Sequence, residues 1–170
     1  LKNKKWNKVM GHTLQGKKVG IIGYGKVGKY LQKLLKPFDV EIIINEKKKS
    51  KNFKNTNLDK LLLKSDIVTL HLNYEKKNKK IIDKKKLNLL KKNCIFINSS
   101  RPELVDYDEL YNILKKNKIL GAALDVFPCE PYVGNLTNLS NVVLTPHIGG
   151  YAKEIRDNME IEAINKLIKI

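Results

Sequence analysis

Short runs dominated by apolar residues alternate with amphipathic stretches along most of the chain. Residues 19–22, 40–44, 67–72, 94–97, 120–126 and 142–144 form the apolar runs, as strands covered on both faces of a parallel sheet should. Between the first two, residues 26–36 place Val27, Tyr30, Leu31, Leu34 and Leu35 at the i, i+3, i+4 spacing of one helix face, and Pro37 ends the run. Residues 58–64, 83–90 and 106–116 are further helices, the last opening on Asp106 as an N-cap. Residues 151–170 read as one long terminal helix. Strand, helix, strand repeated in this way implies right-handed crossovers and a single doubly wound α/β domain. The polar stretch KKKSKNFKNTN, residues 47–57, reads as a loop, and no internal repeat or interior linker interrupts the pattern.

The first turn of this pattern carries chemistry. In VGIIGYGKVGKYLQKLLKPFDVEIIINE, residues 19–46, a strand runs into Gly23-Tyr24-Gly25-Lys26-Val27-Gly28 and then into a helix. Gly23 permits the tight turn, Gly25 lets the backbone approach a pyrophosphate at the helix N-terminus, and Gly28 allows helix and strand to pack closely. Glu46 ends the next strand, 18 residues after Gly28, where a carboxylate can accept both hydroxyls of an adenosine ribose. The combination points to a dinucleotide and a Rossmann-type doubly wound parallel sheet.

Composition narrows the partners. The 170 residues carry a formal net charge of +17, but only Arg101 and Arg156 among the 34 basic residues are arginine. The lysines are scattered, without the arginine and aromatic interleaving of a base-reading surface. A solvated lysine-rich surface is expected, and no specific nucleic-acid binding. No apolar run approaches the roughly 20 residues that span a bilayer. Two cysteines, Cys94 and Cys129, lack metal-ligand spacing, so reduced structural thiols, no metal and a cytoplasmic location are expected.

The second half adds rarer signals. FINSSRPELVDYDEL (residues 96–110), GAALDVFPCEP (121–131) and LTPHIGG (144–150) each follow or end an apolar run, at the carboxyl ends of strands where ligands of such sheets bind. From about Gly16 onward the chain resembles the D-isomer-specific 2-hydroxyacid dehydrogenases, especially their phosphoglycerate dehydrogenase branch, in the order and spacing of these motifs. The resemblance implies an NAD-dependent enzyme that moves a hydride between nicotinamide and a D-2-hydroxy acid or its 2-keto acid. A non-enzymatic, NAD-sensing interaction protein like the family's corepressors is the alternative.

The resemblance also implies residue roles. Arg101 corresponds to the arginine that clamps the substrate carboxylate, His147 to the catalytic histidine and Glu130 to the acid that orients it. Asp125 matches the residue beside the nicotinamide carboxamide; the lesser alternative is an aspartate that caps the next turn. Gly23, Gly25, Lys26, Val27, Gly28, Glu46, Ser99, Ser100, Arg101, His147, Gly149 and Gly150 match cofactor-contacting positions. Leu72 and Asn73 fall near the nicotinamide ribose, beside a His71 read as structural. The assignment is chemically coherent, because oxidising a hydroxy acid requires a proton acceptor and imidazole titrates nearest neutrality. Arginine's planar fork suits a carboxylate.

Two positions depart from the family pattern. Pro102 and Glu103 follow the arginine where glycine is usual, which stiffens the backbone beside the clamp, and Asn73 replaces a usual proline. Residues 1–170 are expected to form the NAD-binding domain, with residues 1–15 leading into it. The family's substrate-binding domain lies outside them, so this chain is expected to turn over poorly by itself. Homodimeric relatives imply a homodimer, with the leading segment, including Trp6 and His12, and the terminal helix at subunit or interdomain contacts.

Overall fold

The structure, a computed structural model, describes residues 8, 10–48 and 53–168. Six strands, β1 (Lys18–Ile22), β2 (Glu41–Asn45), β3 (Ile67–Leu70), β4 (Ile95–Asn98), β5 (Gly121–Leu124) and β6 (Val142–Leu144), form one sheet in the order β2-β1-β3-β4-β5-β6. Every pairing is parallel. The chain moves outward from β1 to β2, then returns past β1 to β3 and continues the other way. The strand order therefore reverses between β1 and β3, and the crevice at a reversal, beyond the carboxyl ends, is where such sheets bind ligands.

The strands read as apolar because helices cover them. Ile22, Val68, Leu70, Phe96 and Leu124 are buried in the sheet, in one core with Leu61 and Leu62 of α2 (Leu58–Lys64) and Leu110, Ile113 and Leu114 of α4 (Tyr107–Lys115). Each of these helices starts where a side chain satisfies its free N–H groups: Asn57 accepts from Asp59 N and Asp106 from Glu109 N. The expected helix over residues 83–90 is shorter, α3 (Lys84–Leu87), capped by Asp83 and closed by Asn88, whose side chain donates back to Lys84 O.

The structure differs from the sequence pattern in three further ways. Helix α1 (Lys26–Leu35) buries Gly28 and half-buries Leu31 and Leu35, whereas Val27, Tyr30 and Leu34 are exposed. The glycine turn forces this rotation, because a Cβ on Gly28 would lie 2.4 Å from Gly23 O, so position 28 must face the strand. Second, β5 and β6 are joined by no α-helix but by a long segment with one 3-10 turn, Asn135–Asn138, anchored by buried Leu136. Third, β3 and β5 are shorter than the apolar runs that predict them, ending at Leu70 and Leu124, although His71 N and Asp125 N still donate to the neighbouring strands at Ile22 O and Asn98 O.

The terminal helix is α5 (Lys153–Ile168), and none of its side chains is buried. The expected contact role for Trp6 lies outside the described residues, while His12 is exposed. No helix among the described residues is long and apolar enough to cross a membrane.

Candidate functional site

At the carboxyl ends of β1, β2 and β3 lies a cleft of about 560 Å³ lined by Gly23, Gly25, Lys26, Val27, Glu46, His71, Leu72 and Asn73, among others. Gly23 has φ +92, and a Cβ there would meet His71 O at 2.6 Å, so the turn is open only to glycine. At Gly25 a Cβ would meet nothing of the protein within 4 Å; the backbone there faces open space. Gly25 is also the N-cap of the ten-residue α1 and offers no side-chain cap, leaving the first-turn N–H groups for an anion. The residues present thus fit a dinucleotide pyrophosphate.

Glu46 is tied into this turn from the next strand. Its Oε2 accepts from Tyr24 N at 2.7 Å and its Oε1 from Lys48 N at 3.1 Å. Burial pushes its pKa up, but these backbone donors, with the nearby Lys48 charge, outweigh that and hold it below the usual carboxylate value. The carboxylate is ionised and aimed by the glycine turn itself. Across the cleft, Asn78 Nδ2 donates to Asn73 O at 2.8 Å and fixes the loop after β3. His71 is half-buried with Nε2 3.0 Å from Thr69 Oγ1, and burial lowers its pKa.

A second group assembles at the ends of β5 and β6. His147 Nδ1 lies 2.9 Å from Glu130 Oε2, and Glu130 Oε1 accepts from Phe127 N at 3.0 Å. The contact with His147 first, and the Phe127 N–H second, hold the Glu130 pKa below its ordinary value. His147 has φ +53, a left-handed conformation that costs a non-glycine residue on the order of 1 kcal/mol or more and persists only where its surroundings enforce it. Here Asp125 enforces it. Its Oδ1 accepts from Thr145 Oγ1 and, at 2.9 Å, from Ile148 N; its Oδ2 accepts from Gly149 N at 2.9 Å. Burial raises the Asp125 pKa, but these three donors outweigh it and the net shift is downward.

Between the two groups, at the end of β4, stand Ser99, Ser100 and Arg101. Ser99 and Arg101 are exposed, and Arg101 Nη1 donates to Ser100 O at 2.6 Å. Beneath them Asn98 is fully buried.

The structure therefore gathers Gly23, Gly25, Lys26, Val27, Glu46, Leu72 and Asn73 around one cleft, with Gly28 buried beneath it. Asp125, Glu130, His147 and Gly149 form a second, hydrogen-bonded cluster, and Gly150 is exposed just beyond it. Sequence reasoning missed Asn98, Tyr107 and Thr145 as supports. Asn98 had a signal, a polar side chain closing the apolar run IFIN; Thr145 had none beyond its neighbours.

A parallel doubly wound sheet whose glycine turn, Glu46 carboxylate and bare helix N-terminus converge at the strand reversal is an NAD-binding domain of Rossmann type. The sequence profile described as "D-isomer specific 2-hydroxyacid dehydrogenase, NAD binding domain" matches residues 1–149. The chain belongs to that family. It is 36% identical over 176 residues to the D-3-phosphoglycerate dehydrogenase of Haemophilus influenzae, covering 96% of this chain and 43% of that protein. It is 39% identical over 163 residues to the glyoxylate reductase of Thermococcus litoralis, covering 91% and 49%. The crystal structure of a glyoxylate reductase from Paecilomyes thermophila superposes with a TM-score of 0.88 at 31% identity, over 94% of this chain and 50% of that one. The chain thus spans about half the length of the relatives it matches.

Proposed function

We propose that this chain is the cofactor-binding half of an NAD-dependent oxidoreductase that interconverts a D-2-hydroxy acid and its 2-keto acid. The observation that carries the reading is the His147–Glu130 pair, 2.9 Å apart, held at the carboxyl edge of the sheet that carries the dinucleotide cleft. The names of similar proteins point to 3-phosphoglycerate or glyoxylate as the acid.

NAD, when bound, supplies the acceptor for the hydride that leaves C2 of the hydroxy acid. With Nδ1 committed to Glu130, His147 Nε2 takes the hydroxyl proton as the carbonyl forms, and Glu130 stabilises the resulting imidazolium. In the reverse direction the same nitrogen returns the proton. Arg101 binds the substrate carboxylate through its fork and orients C2. Arg101 and His147 are both exposed, and a substrate domain closing over them would exclude water from the reaction. The full-length protein acts as a homodimer in this reading.

The test is His147→Ala in the full-length protein. Turnover should fall by about 10²-fold or more, while NADH binding stays near normal because the glycine turn and Glu46 hold the cofactor. Near-normal turnover would remove the acid–base role. Glu46 would repel a 2′-phosphate, so titration at moderate salt should show NADH binding tighter than NADPH; the opposite order would sink the Glu46 assignment.

A further inference from the structure

Asn98 is a primary amide with no exposed surface at the end of β4, and every hydrogen-bonding valence it has is used. Its Oδ1 accepts from Ser100 N at 3.1 Å and Ser100 Oγ at 3.0 Å. Its Nδ2 donates to Arg101 O at 3.1 Å and to Tyr107 Oη at 3.4 Å. Tyr107 Oη in turn donates to Val126 O, one residue after Asp125. A buried polar chain therefore runs from the backbone of Arg101, through one amide and one phenol, to the strand end that leads to Glu130.

A helix and a strand end could be joined more simply by apolar packing, since buried polar groups add little net stability even when fully paired. What such a network does supply is fixed direction. The backbone of Arg101 is extended, φ −144 and ψ 138, and the residue before a proline is confined to that region. On its carbonyl side Arg101 is restricted by Pro102 and by the bond from Asn98 Nδ2 to its carbonyl, and on its amino side Asn98 Oδ1 holds the N–H of Ser100. The side chain that must present a planar fork to a carboxylate thus leaves a backbone fixed at both ends.

We propose that Tyr107, acting through Asn98, is a positioning residue for the Arg101 carboxylate clamp. The inference rests on the reading of Arg101 given above. Tyr107 touches neither substrate nor cofactor; its hydroxyl sets where Arg101 stands relative to the strand end beyond Val126.

The experiment is a double-mutant cycle in the full-length protein with Tyr107→Phe and Arg101→Lys, read as kcat/KM for the hydroxy acid together with NADH binding and melting temperature. Tyr107→Phe keeps the ring and removes the hydroxyl. It should lower kcat/KM about tenfold, mainly through KM, and leave the NADH dissociation constant within about twofold. In the Arg101→Lys background, where there is no fork to aim, it should change kcat/KM by less than about twofold. A tenfold effect that persists in that background, or one confined to kcat, would overturn the proposal, the latter placing Tyr107 on the Glu130 side. No effect of Tyr107→Phe would overturn it as well. If Arg101→Lys itself leaves kcat/KM unchanged, the clamp reading fails instead, so the two failures are told apart. Should Tyr107→Phe not fold, Asn98→Ser breaks the same chain while leaving Tyr107 on Val126, and must show the same dependence on Arg101.

Discussion

Gly25 and Gly28 stand one helical turn apart and differ in what a methyl group would meet. On Gly28 it would collide with the carbonyl of Gly23 at 2.4 Å, so Gly28→Ala must push α1 off β1 and should cost about 1–3 kcal/mol of stability. On Gly25 it would meet nothing within 4 Å, and alanine is only a poorer N-cap, worth at most about 1 kcal/mol. Gly25→Ala should therefore melt close to the parent yet bind NADH at least about tenfold more weakly, because only the bound pyrophosphate is there to be struck. Calorimetry and NADH titration on the two variants check this, and unchanged affinity in Gly25→Ala would take the pyrophosphate away from the turn. The two glycines are interchangeable as letters of a motif. Their surroundings separate them.

The segment from β6 to α5 shows how one buried side chain governs an element. Asp125 collects Thr145, Ile148 and Gly149 and so shapes the backbone on which His147 sits. Asp125→Asn turns one acceptor into a donor facing Gly149 N and should destabilise the protein by about 1–3 kcal/mol near neutrality. The pH dependence has a definite sign. Because the folded-state pKa of Asp125 is depressed, its contribution is complete above the unfolded carboxylate pKa and disappears as pH falls through the lower, folded value. The stability gap between parent and variant should accordingly narrow in acid; a gap that stays constant down to the acid transition would count against the clamp. The motif TPHIGG and its place after a strand were legible in the sequence because spacing along the chain records them. The clamp was not, since its partners lie 20 or more residues apart. The face of α1 was misjudged for a related reason: hydrophobic spacing put Val27, Tyr30 and Leu34 on one face with Leu31 and Leu35, and the close approach of Gly28 to Gly23 leaves those three exposed.

At the scale of the molecule, the alternation of apolar runs and helices already implied the doubly wound sheet, and the parallel order of all six strands follows it. The crossover from β5 to β6 breaks the alternation, and that irregular segment is where Cys129 and Glu130 lie. The buried cysteine, by contrast, is inert: Cys94 lies in the core immediately before β4, where burial pushes its thiol up to about 12. What the fold leaves uncovered is α5, with Ile155, Met159, Ile161, Ile164, Leu167 and Ile168 exposed, together with Val27, Tyr30 and Leu34 of α1. The proposed homodimer should appear as a dimer in sedimentation of the full-length protein at micromolar concentration, and a strict monomer would contradict it. An uncovered helix of this length is only marginally stable in water, so the backbone amides of α5 should exchange with deuterated solvent almost as fast as those of an unfolded peptide when the 170-residue chain is studied by itself. Those of β1, β3 and β4 should be retained far longer, and slowing confined to α5 in the full-length protein would time and locate whatever comes to rest on it.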